Sequence, residues 1–153
     1  DDEAIREHAR LQAILQTPSC LDGSLLSAAR RGAARPVGAC GIVNIKPGRV
    51  GGFSAARAVH DTCARHGVPV WHGGMLETGI GRAANLHLAS LPNFTLPGDI
   101  AASRRYFVPD LIDPPIDVGP DGTIAVPTSP GIGVAIDESR IVRATIESRS
   151  FTA

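Results

Sequence analysis

Lys46 ends an apolar run, Ile42, Val43 and Ile45, and stands directly before a Pro-Gly turn in the stretch GIVNIKPGRVGGF, residues 41–53. Side chains alternate along a strand, so Asn44 and Lys46 would point to the same side. If that side faces a site, desolvation would draw the lysine's pKa down toward the range useful for proton transfer. The plainer reading is a solvated lysine in a turn, and spacing alone favours it. Asp22 holds a similar position one unit earlier, in SCLDG, with Cys20 on the same side. An aspartate before glycine is usually a turn residue. At a strand end its carboxylate could instead ligate Mg2+, which takes oxygen ligands.

Other groups compete for attention. Gly79-Ile80-Gly81-Arg82-Ala83-Ala84 fits G-x-G-x-x-A, with Asp99 twenty residues after Gly79, which is the pattern of a dinucleotide site. Against it, Gly73 to Thr78 intervene where a tight strand-to-helix turn is wanted, and Glu77 would put negative charge near a pyrophosphate. His60, Cys63 and His66 are spaced i, i+3, i+6, which spreads them around a helix and argues against tetrahedral zinc. His72 ends a strand and could line a site or serve the core. Arg49 and Arg57 could bind an anion, but are more simply solvated.

The elements that must position these residues read as strand then helix, repeated. A helix is expected over 2–16, a short strand at 19–22, a second helix over 24–34 and a strand at 42–46. Next come a Pro-Gly turn, a helix over 53–66 closed by Gly67, and a strand at 68–71. The segment 77–91 reads as helical in its second half, and FTL (94–96) as a fourth short strand. Such alternation implies parallel strands with crossover helices. The strand ends Asp22, Lys46, Gly74 and Asp99 recur at intervals of 24, 28 and 25 residues, one βα unit apiece. In a β/α barrel those ends share one face, where the chemistry sits. Residues 108–136 are rich in Pro and Gly and read as a closing arm. A closed barrel needs roughly 250 residues, so the four units point to half a barrel over 1–107 and an arm over 108–153.

Composition narrows the function. The chain has 153 residues, with 15 Lys+Arg against 15 Asp+Glu. That balance leaves no footprint for nucleic acid or an anionic membrane. No apolar run approaches the ~18 residues of a membrane span, and the charged start DDEAIREHARLQ lacks a signal-peptide core. Cys20, Cys40 and Cys63 form no even framework or CxxC, which fits a reducing cytoplasm. A chain beginning on Asp1 is expected to be a piece of something longer.

At CLD (20–22), NIKPGRVGG (44–52), GGMLETGIGRA (73–83), TLPGDI (95–100), RYF (105–107) and the tail PPI…DGTIAVPTSPGIGV, the chain resembles the enolase superfamily. Within it, the o-succinylbenzoate synthases and N-acylamino acid racemases are most similar. The resemblance implies an α/β fold, the C-terminal half of an enolase-type (β/α)7β barrel. The N-terminal capping domain and first barrel half have no counterpart in these residues. It also implies Mg2+, or another divalent metal such as Mn2+, held by three carboxylates on successive strands, and two lysines flanking a small carboxylate substrate.

Carried over by position, Asp22 resembles the third metal ligand and Lys46 the second active-site lysine. Asn44 matches a polar residue on the same strand. Gly74, Met75 and Leu76 resemble the lining of an acyl pocket, and Tyr106 an aromatic contact to substrate. Gly23 stands where the family commonly has a glutamate, LDES against LDGS here. The implied activity is Mg2+-dependent syn-dehydration in menaquinone biosynthesis, with racemisation as the alternative. A chain with one ligand and one lysine is expected to be inactive alone, to pair with the other half of the same enzyme, and to form homo-oligomers when complete.

Overall fold

The computed structural model describes residues 2–23 and 38–151. The helix expected over 24–34 lies outside them. The described chain divides into two compact units, one of Asp1–Met75 with His87–Ile100, the other of Leu76–Leu86 with Ala101–Ala153.

The first unit is built on a parallel sheet of β1 (Cys20–Leu21), β2 (Ile42–Ile45) and β3 (Val70–His72), in that order. The expected parallel strands with crossover helices are thus borne out. Leu21 lies opposite Val43, Val43 opposite Val70, and Ile45 opposite His72. These residues share one side, and all five are buried. They pack with Ala56, Val59 and Cys63 of α3 (Phe53–Arg65) and with Leu88. Ile5 and Ala9 of α1 (Asp2–Ile14) and Phe94 close the margin of that core. The α3 positions 56, 59, 60 and 63 fall at i, i+3, i+4 and i+7, the stripe an amphipathic helix buries. Burial pushes the Cys63 thiol up to about 11.

The end of α3 explains where β3 begins. His66 is the cap residue and Gly67 follows at φ 67°, the left-handed conformation glycine adopts without strain. Val68 N donates to Cys63 O (2.9 Å) and Gly67 N to Ala64 O (3.2 Å), the paired bonds of a Schellman ending. Val68 has therefore spent its N–H on the helix, and Pro69 has none. The strand starts at Val70 rather than 68, and His72 lies within it. The expected strand at 94–96 takes the form of two isolated parallel bridges, Val70 with Phe94 and Gly73 with Asp99. Pro97, between those bridges, cannot donate to a ladder.

In the second unit, α4 (Gly79–Ala89) begins on Asp110, whose carboxylate accepts from Gly79 N at 2.9 Å. Leu111 N (2.7 Å) and the Ser103 hydroxyl also donate to it. An anion at the helix start complements its dipole and allows the glycine-rich first turn, expected as loop, to be helical. The Pro- and Gly-rich arm is held by an antiparallel bridge, Ile112 with Ile136. Arg140 donates to Asp110 O (2.9 Å) and Ile112 O (3.1 Å). Arg140 lies on α5 (Glu138–Ala144), a helix not expected from the sequence and capped by Asp137. A cleft of about 370 Å3 runs along the arm, walled by Pro114, Pro115, Pro127 and Val134.

Candidate active site

The other side of the first unit's sheet carries the polar residues. Asn44 pairs in register with Trp71, and Cys20 with Ile42, so by alternation Asp22, Asn44, Lys46 and Gly73 share that side. Lys46 reaches back across the strand ends, placing Nζ 3.0 Å from Asp22 Oδ2. Its side chain is only 16 % exposed, so the plain reading of a solvated turn lysine is set aside. Lys46 is also the only lysine in the chain. Asn44 is buried, and its Oδ1 has no hydrogen-bond partner among the described residues.

Arg49 completes the cluster. The Pro-Gly segment is a helical turn, α2 (Pro47–Val50), with proline at its start, where the missing N–H does no harm. That turn brings Arg49 back over the strand end, and its guanidinium donates to Asp22 Oδ1. From the sequence Arg49 is either an anion binder or, more simply, a solvated residue; the anion it meets is the Asp22 carboxylate. The signal for it was its spacing of three from Lys46 across a proline-initiated turn. Burial opposes ionisation of Asp22, but the hydrogen bonds and charges of Lys46 and Arg49 outweigh it and hold the carboxyl below its ordinary value.

The first unit therefore assembles Asp22, Asn44 and Lys46, with Gly74 and Met75 just beyond β3. Met75 Sδ lies 3.8 Å from where a Gly48 side chain would begin. Leu76 and Tyr106 belong to the second unit, both exposed, with the Arg82 guanidinium 5.4 Å from the Tyr106 ring centre. His72 faces the core side, buried beside Phe94 at 6.2 Å between ring centres, and does not line the polar side.

Two rival readings fall to the geometry. At Gly79 the first helical N–H is occupied by Asp110, and a side chain there would strike Ile112 and Asp110. That glycine serves close packing, and the helix start is not open to a pyrophosphate. His60 bonds Asp61 at 2.8 Å and accepts from Asn93 N at 3.3 Å. No group of three or more His, Cys, Asp or Glu among the described residues is placed to hold a metal. The Mg2+ or Mn2+ implied by the resemblance does not fit this chain's residues alone. Asp22 is a single carboxylate, already engaged by two cations.

Comparison with known proteins decides the family. Residues 1–140 match the enolase C-terminal domain-like family. The chain belongs to that family. It is 57 % identical over 135 residues to an N-succinylamino acid racemase of Amycolatopsis sp, covering 88 % of this chain and 36 % of that protein. An o-succinylbenzoate synthase of Geobacillus stearothermophilus is 50 % identical over 145 residues, covering 95 % of this chain and 38 % of the synthase. The solved structure of an enolase superfamily member from Listeria innocua superposes with a TM-score of 0.82 at 40 % identity, over 94 % of this chain and 38 % of that one. This enolase C-terminal domain-like chain thus spans well under half the length of the curated relatives it matches. No described helix is long and apolar enough to cross a membrane.

Proposed function

We propose that this chain supplies one side of a proton-transfer site acting on the carbon next to a carboxylate, in an o-succinylbenzoate synthase-like lyase of menaquinone biosynthesis. The observation that carries it is Lys46, a strand-end lysine shielded from solvent and steered by Asp22, beside the buried Asn44, whose Oδ1 has no hydrogen-bond partner among the described residues. An α-proton beside a carboxylate is very weakly acidic, so its removal needs positive groups where charge develops. Lys46 offers a held ammonium for that charge, the opposite lysine would accept the α-proton, and in dehydration that proton and the departing hydroxyl leave as water. The 57 % identity to an N-succinylamino acid racemase supports a second reading, in which Lys46 exchanges the α-proton on one face of the substrate.

By resemblance Asp22 would be one of three carboxylates holding Mg2+, which when bound would offset the charge on the substrate carboxylate; in this chain alone Asp22 is taken up by Lys46 and Arg49. By resemblance, Gly74, Met75 and Leu76 are proposed as acyl-pocket residues and Tyr106 as a substrate contact. The remaining ligands and the opposite lysine would come from the other half of the same enzyme. Among the described residues β1 pairs with β2 alone, leaving an edge that the other half could extend.

The test is turnover of the o-succinylbenzoate precursor and of an N-succinylamino acid with Mg2+. The chain would be assayed alone, and then mixed with the part of the Amycolatopsis racemase that it does not match. Turnover is expected only in the mixture, and Lys46→Ala should abolish it with the circular dichroism unchanged. Equal turnover by Lys46→Ala would remove that residue from the chemistry, and turnover by the chain alone would refute the one-sided site.

A further inference from the structure

Gly73 and Gly74 are adjacent glycines present for different reasons. A side chain at Gly74 would strike the backbone carbonyl of Asp99, so the fold itself excludes it. At Gly73 the backbone is free to carry one, since its φ lies outside the left-handed range. What a Gly73 Cβ would meet is the side-chain amide of Asn44, both Oδ1 and Nδ2, and Cε of Lys46. All are side-chain atoms, and all belong to the candidate site. Gly73 N is meanwhile tied to Ile45 O at 3.1 Å, and Gly73 itself bridges to Asp99. A glycine costs stability by its freedom in the unfolded chain, and Gly73 has no positive φ that would call for one.

We propose that Gly73 is a positioning residue for this site: its absent side chain reserves the space in which the Asn44 amide and the Lys46 stem are held. The inference rests on the reading that Lys46 and Asn44 form the functional face. With that space filled, both the Lys46 stem and the Asn44 amide must shift, and the flexible lysine, the less buried of the two, has the more room to do so. Nζ then leaves Asp22 while the sheet stays intact.

The single lysine makes this measurable on the chain itself, with acetic anhydride as the probe and mass spectrometry of the Lys46 peptide as the readout. Acetylation of Lys46 should be several-fold faster in Gly73→Ala than in the unaltered chain, with the circular dichroism preserved and the melting temperature lowered by no more than a few degrees. Gly98→Ala, whose nearest neighbour is His72 O at 3.4 Å, is the control and should leave the rate unchanged. An unchanged Lys46 rate in folded Gly73→Ala overturns the proposal. Loss of the fold in that variant also overturns it, since the glycine would then be structural. Turnover in the complemented enzyme separates the two levels: an inactive unaltered chain refutes the functional reading, whereas the acetylation result judges Gly73 alone.

Discussion

Replacing Asp22 with asparagine keeps the shape of the side chain and removes the charge that gathers Lys46 and Arg49. Two unit charges about 4 Å apart attract by about 4 kcal/mol at an effective dielectric of about 20. Asp22 is 37 % exposed, and both cationic partners must be ordered to reach it. Screening and lost side-chain entropy reduce each pair to roughly 1 kcal/mol. Asp22→Asn should therefore destabilise the chain by about 1–2 kcal/mol, a fall in melting temperature of roughly 3–6 °C for a chain of this size. The assay is thermal unfolding in EDTA at neutral pH and low salt, repeated at high salt, where the difference should shrink.

The pH dependence has a definite sign. Asp22 has a depressed native pKa, so its contribution is complete above the ordinary aspartate value of 3.8 and is lost as pH falls through the native one. The two proteins should converge in acid. Lys46→Met and the double variant complete a cycle with a coupling of about 1 kcal/mol. Equal melting of Asp22→Asn and the unaltered chain at low salt would refute the account of the cluster.

Thiol chemistry should sort the three cysteines: Cys20 is exposed, whereas Cys63, pushed up to about 11, and Cys40, raised by burial, are enclosed. Ellman's reagent at pH 8 should titrate one thiol in the folded chain, at Cys20, and all three in denaturant; two fast thiols would contradict the packing. Asp110→Ala removes a buried carboxylate and strands the donors of Gly79, Leu111 and Ser103. That should cost about 3 kcal/mol in urea unfolding, and a loss below about 1 kcal/mol would mean that water replaces it readily.

The parallel βα plan was legible because short apolar runs stop at Asp22, Lys46 and Gly73 with helical stripes between them. Lys46 stood out because a charge closed such a run, and the long ordered motifs supplied the family. What escaped depended on contacts across the chain. Asp110 meets Gly79 from 31 residues away, and no local pattern announces it. The late start of β3 follows from a backbone bond that Val68 makes to the preceding helix, which hydropathy does not register. Arg49 was underrated because a Pro-Gly pair suggests an open turn, whereas here it starts a helical one.

Trp71 is the chain's one tryptophan, and its indole N–H donates to Cys20 Sγ at 3.2 Å. It stands opposite Asn44 on the polar side of the sheet, not in the core. The protein therefore carries its own optical gauge on that side. A thiol in contact with an indole drains its excited state, so a molecule settling against Asn44, or an adduct on Cys20, would alter the emission without any attached dye. Occupancy of the face could then be followed in real time, even in variants that turn nothing over.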